Sequence, residues 1–140
     1  MIQQGQTYSF RLDLYQGVQD LSSDTLYMAL YNANADVNLS TPAYTSVNEV
    51  TGTGYSAGGK ECENVTVNQD SSNGVVYVSF DNVQWTNASF TCRGALIYNV
   101  TQGNKSVAVL DFGNDKTVVD QTFTVTLPAN TATTAVIRSV

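Results

Sequence analysis

Histidine is absent from this chain, charge is scarce, and no apolar run is long. Each absence removes a class of function. Without histidine there is no His-based triad, no imidazole metal ligand and no ordinary general base near neutral pH. Lys and Arg total 6 against 12 Asp and Glu, for a formal net charge of −6. The cations Arg11, Lys60, Arg93, Lys105, Lys116 and Arg138 are scattered singly. No basic patch forms to neutralise phosphates, so nucleic acid is not an expected partner. Nothing approaches the roughly 18 consecutive apolar residues of a membrane-crossing helix, so a membrane is not expected either. Met1-Ile2-Gln3-Gln4-Gly5-Gln6 has neither the basic start nor the apolar core of a signal peptide. Cysteine is limited to Cys62 and Cys92. A bridge between them would close a loop of about 30 residues and contribute about 3–4 kcal/mol in the chain-entropy picture. With no export signal they read instead as two buried thiols.

What the chain does have is neutral and strand-forming. It carries 18 Val, 17 Thr, 13 Asn, 12 Ser and 8 Tyr in 140 residues. β-Branched and aromatic residues fit a pleated surface, and the length suits one domain spanning residues 1–140. Tyr8, Phe10, Leu12 and Leu14 alternate with Ser9, Arg11, Asp13 and Tyr15, the period-2 pattern of a half-buried strand. Leu26, Met28 and Leu30 alternate with Tyr27, Ala29 and Tyr31 in a second. Residues 32–42 are turn-rich, a short extended piece follows at Tyr44 to Val47, and residues 48–60 are irregular. Strands resume at Cys62 to Val67 and, after the turn Asp70-Ser71-Ser72-Asn73-Gly74, at Val75 to Phe80. Val83 to Trp85 reads as a short extended segment. The apolar runs Ala95 to Tyr98 and Val107 to Leu110 suit strands buried on both faces, joined by a hairpin loop at Asn99 to Lys105. Gly113-Asn114-Asp115 reads as a turn. Thr122 to Leu127 alternates until Pro128, and Thr134 to Ser139 is a last strand. No segment shows helical period. Eight to ten short strands predict an all-β fold, an antiparallel two-sheet β-sandwich of jelly-roll type.

Four motifs suggest chemistry and each has a structural alternative. Gly54 to Lys60 fits the spacing of a phosphate-cradling loop, but Glu61 stands where a magnesium-holding Ser or Thr belongs and no helix pattern follows. Its glycines read instead as permitting sharp turns or close approach to a neighbouring chain. Asp111-Phe112-Gly113 spells a kinase tripeptide without any other kinase signature. Asn32, Asn34, Asp36 and Asn38 alternate like calcium ligands, yet Val37 holds the position that needs Gly and no Glu closes the loop. Glu61 and Glu63 share a strand face, as paired carboxylates do in glycosidases, and equally suit a charged, solvent-facing edge. No catalytic residue, metal ligand or cofactor is assigned. Tyrosine is the excess that asks for a role. Tyr15, Tyr27, Tyr31, Tyr44, Tyr55, Tyr77 and Trp85 do not all fit one core, and exposed aromatics are enriched where proteins meet partners.

Six segments, in order, carry a resemblance: Leu12-Asp13-Leu14, Ala29-Leu30-Tyr31, Glu49-Val50-Thr51-Gly52-Thr53-Gly54-Tyr55-Ser56-Ala57-Gly58-Gly59, Val83-Gln84-Trp85, Arg93-Gly94-Ala95-Leu96-Ile97-Tyr98-Asn99 and Val107-Ala108-Val109-Leu110-Asp111-Phe112-Gly113. Together they resemble a family of small β-rich structural proteins of tailed bacteriophages, from about Tyr8 to Arg138. The resemblance implies a virion component, made in the bacterial host cytoplasm, without enzymatic activity. It is expected to be homo-oligomeric and to pack against the major capsid protein as a decoration or cement protein, or against tail proteins. The expected contact residues are Gly54, Tyr55, Gly58, Gly59, Trp85, Tyr27 and Tyr31. The alternative is a tail, neck or fibre module that binds host-surface glycans, with Trp85 or a Tyr pair as the sugar platform.

Overall fold

A computed structural model of the chain describes residues 1–127 and 134–139; the expected stop at Pro128 lies outside them. The elements run β1 (Gly5–Gln6), α1 (Tyr8–Gln16), β2 (Leu26–Tyr31), β3 (Lys60–Glu61), β4 (Thr66–Asp70), β5 (Val75–Ser79), β6 (Val83–Asn99), β7 (Lys105–Val125) and β8 (Ile137–Ser139). They form two antiparallel sheets, β1-β7-β6-β2-β3 and β4-β5-β8. The fold is mostly β, as the composition implies.

The first predicted strand is a helix. Residues 8–15 alternate in polarity, but their two ends carry helix signals. The Thr7 hydroxyl accepts the Phe10 N–H at 3.2 Å as an N-cap, and Gly17 adopts the left-handed conformation at φ 70° just past the end. The Val18 N–H then reaches the Asp13 carbonyl at 2.9 Å. Of the helix only Phe10 and Asp13 are buried, so the alternating leucines do not line a core; Leu12 and Leu14 are exposed.

The expected series of short strands is largely two long ones. β6 runs 17 residues and β7 runs 21, paired from Asn99↔Lys105 at the hairpin loop to Val83↔Val125. The pairing of Gly94 with Asp111 is followed by that of Cys92 with Lys116, so residues 112–115 bulge out of the ladder. Gly113, at φ 83°, turns inside that bulge, and the chain does not reverse there. Further register shifts flank Ala88, next to Asn87 and near Asp120, both at positive φ. β2 forms as expected over Leu26–Tyr31, whereas the strand expected at Cys62 to Val67 begins later, at Thr66.

The principal core lies on one face of the larger sheet. Met28, Leu30, Trp85, Phe90, Ile97 and Val107 gather there with Phe10 of α1 and with Val78, Phe80 and Ile137 from the smaller sheet side. A second cluster, including Ala29, Tyr31, Leu96 and Val109, fills the opposite face under Ile2, Ala35 and Val37. Most of β2, the last residues of β6 (94–99) and the first of β7 (106–110) are therefore buried on both faces, as the apolar runs predict for β6 and β7. Cys62 and Cys92 are buried free thiols.

Candidate functional site

The glycine-rich segment between β2 and β3 lies against its own sheet. A Cβ at Gly59 would overlap the Met28 carbonyl, and one at Gly52 would overlap the Ser89 carbonyl. At Gly54 it would sit 2.9 Å from the Ala88 Cα. Thr53 forms a bridge with Ser89, and the Cys62 N–H bonds the Leu26 carbonyl at 2.8 Å. Close backbone approach is what these glycines provide, within one chain.

A buried carboxylate fastens the segment down. Glu49 Oε1 accepts the Tyr44 hydroxyl at 2.6 Å; Oε2 accepts the Tyr55 hydroxyl and the Gly58 N–H, the latter at 2.8 Å. The Tyr55 oxygen in turn accepts the Leu30 N–H at 2.9 Å from β2, and Tyr98 donates to the Gly58 carbonyl at 2.6 Å. Tyr31 donates to the Thr45 carbonyl at 2.7 Å, and the Tyr44 and Tyr98 rings stack at 4.8 Å. Burial, reinforced by the Glu49 charge, raises the hydroxyl pKa of Tyr31, Tyr44 and Tyr55 above the ordinary tyrosine range. Burial likewise pushes Tyr98 up to about 12. Both carboxylate oxygens already accept tyrosine hydroxyls, so Glu49 holds loop to sheet and presents no free base.

The tyrosine excess is therefore mostly internal. Tyr31 is 0% and Trp85 2% exposed, which corrects their assignment to a contact surface. The assignment treated the side of each strand opposite its apolar row as solvent. On β2 that side is roofed by residues 35–37 and 44, and Trp85 belongs to the main core with Tyr55, Phe90 and Phe123 around it. Tyr27 is half-buried beside Tyr98, with ring centroids 6.2 Å apart. Tyr55, Gly58 and Gly59 are half-buried, and only Gly54 of the expected set is exposed.

The other motifs resolve locally. Asn32 and Asn38 turn their side-chain oxygens onto the N–H groups of Asn34 and Ser40, and Asp36 takes the N-terminal amine at 3.0 Å. The two asparagine oxygens serve local turns and the Asp36 carboxylate an ion pair with the N-terminus. Glu61 and Glu63 stand exposed at a shallow polar cleft with Lys60, whose Nζ bonds the Gln84 carbonyl at 2.7 Å.

The exposed large side chains concentrate on α1. Tyr8, Leu12 and Tyr15, at the i, i+4, i+7 spacing of one helix face, are 54%, 56% and 93% exposed. The Arg11 guanidinium lies 5.2 Å from the Tyr8 ring centre. This stripe was legible only after the caps at Thr7 and Gly17 define a helix; read as a strand, the same residues split between two faces. The surface thus belongs to a mostly β module with an apolar helix face turned to solvent. No family model, curated protein or solved structure matches the chain.

Proposed function

We propose that the protein is a structural component of a tailed-phage virion, with capsid decoration as its main role and a place in the tail or neck as the variant. The observation that carries this reading is the exposed stripe Tyr8, Leu12 and Tyr15. Aromatic and aliphatic side chains of this kind supply the buried centre of protein interfaces. The ordered segments that resemble phage structural proteins support the same reading, as does a chain whose polar groups are mostly neutral. Such a surface meets a partner by burying area with little charge to desolvate. We read the two sheets as layers of a jelly-roll-like sandwich, because Val78, Phe80 and Ile137 join the cluster of Met28, Leu30 and Ile97. We read the protein as non-catalytic, with other virion proteins and further copies of itself as partners. In the glycan-binding alternative, the burial of Trp85 leaves Tyr8 and Tyr15 as the exposed rings.

Cryo-electron microscopy of purified particles tests this reading by counting copies and recording their symmetry. Many copies following the icosahedral lattice are expected for decoration. A few copies on the tail axis would replace decoration with the tail variant, and none on the particle would overturn both.

A further inference from the structure

Sheet edges are where a chain is open to pairing with another, and stable proteins usually shield them with charge, bulges or shortness. Among the described residues most edges of this molecule are shielded. β1 and β3 are two residues each, and β3 is Lys60-Glu61. β8 is three residues with Arg138 at its middle. The length of β7 beyond β1 carries Asp111, Asp115, Lys116 and Asp120 and is broken by the bulge at 112–115. β4 differs. Thr66-Val67-Asn68-Gln69-Asp70 is a regular five-residue edge, paired among the described residues with β5 alone, without Lys, Arg, Pro or a bulge. Its one charge, Asp70, is held inside the hairpin by the N–H groups of Ser72 and Asn73 and by the Asn73 amide.

The same edge has uncovered apolar surface. Val67 lies opposite buried Val78, and Val76 shares that face, yet they are 45% and 47% exposed. With Leu14 they rim a cleft of about 220 Å³ whose floor includes Phe10, Leu21 and Ile137. The apolar row of the smaller sheet runs past the core of a single chain.

We infer that β4 pairs antiparallel with β4 of a second copy about a two-fold axis at Asn68; this rests on, and gives a geometry to, the homo-oligomeric reading above. Of the two-fold registers only this one engages all five residues. Thr66 then faces Asp70 of the second copy, Val67 faces Gln69, and Asn68 faces its own equivalent. The two Asp70 carboxylates lie at opposite ends of the joint, each opposite a threonine. A register centred on Asp70 would set like charges face to face, which destabilises a strand pair. The chosen pairing also carries the exposed Val67 and Val76 rows towards their counterparts.

Asn68→Cys tests the register in the full chain. Directly opposed residues have Cα atoms about 4.5–5.5 Å apart, within disulfide reach, whereas Thr66→Cys would place its thiols about four residues, or roughly 13 Å, apart. Cys62 and Cys92 are buried and stay out of the reaction. Under mild oxidation Asn68→Cys is expected to give a covalent dimer and Thr66→Cys is not. Val67→Lys should keep the circular dichroism spectrum and weaken association at least tenfold by sedimentation equilibrium. A chain that dimerises without an Asn68→Cys bridge, or bridges equally through Thr66→Cys, overturns the β4 pairing and leaves a homo-oligomer formed elsewhere. A chain that sediments as a monomer also overturns it, and particle microscopy then decides separately whether the virion reading stands.

Discussion

Glu49 is the residue on which the loop architecture depends. Its carboxylate is buried and takes two tyrosine hydroxyls and a backbone N–H. Hydrogen bonds to a charged group contribute more than neutral ones, and removing one partner leaves the others desolvated and unpaired. Glu49→Ala is expected to cost about 2–4 kcal/mol in urea unfolding, against about 1 kcal/mol for Tyr44→Phe, which removes one donor. The same cluster sets an alkaline limit. In the unfolded chain these tyrosines ionise near their ordinary 10.0, while in the fold burial holds the protons on, to about 12 at Tyr98. Above the lower value the unfolded state binds fewer protons, so stability falls as pH rises. The contribution is fully present below pH 10.0 and is lost as pH climbs through the folded values. Melting temperature measured against pH should decline from that point, less steeply in Tyr55→Phe. Glu49 itself was not legible as a centre, because its partners stand from five residues away, at Tyr44, to nine, at Gly58, and meet only once the loop folds back.

At the scale of elements the glycine-rich segment separates two kinds of glycine. Gly59 has φ 81° and its Cβ would overlap the Met28 carbonyl; Gly74 has φ 67° in the β4–β5 turn with nothing within 4 Å of a Cβ. Gly74→Ala therefore meets only the cost of a left-handed backbone, about 1 kcal/mol. Gly59→Ala adds a collision with β2 backbone that no side-chain rotation relieves, and should either lift the loop or cost several kcal/mol, about 3 or more. Equal denaturation midpoints for the two variants would refute the packing described here. The Asp70 to Gly74 turn was legible because Asn-Gly chemistry is local. α1 was not, since polarity alternation over residues 8–15 outvoted the single residues Thr7 and Gly17 that decide its ends. The fusion of two predicted strands and a turn into β7 has the same origin: glycine and asparagine mark a bulge and a turn alike, and only the partner strand distinguishes them.

For the whole molecule, neutral β-branched composition announced two antiparallel sheets, but their strand order was beyond local pattern. β1 joins β7 with Gly5 opposite Val109, and β8 joins β5 with Ile137 opposite Val78, pairings distant in sequence and made by core packing after the strands exist. That core also decides whether the smaller sheet melts by itself. Its β8 contributes Ile137, 3% exposed and opposite Val78, to the same cluster as Phe10, Leu26 and Met28. Truncating it removes contacts that helix, large sheet and small sheet hold in common. Ile137→Ala should cost about 2–4 kcal/mol and, at roughly 3–4 °C per kcal/mol for a chain of this size, lower one melting transition as a unit. Calorimetry gives the discriminating ratio. Equal calorimetric and van't Hoff enthalpies in both proteins mean that the sheets share one cooperative core. An early, separate transition in Ile137→Ala would instead make β4-β5-β8 a semi-independent flap, and pairing through β4 would then have to stabilise that flap before it held two copies together.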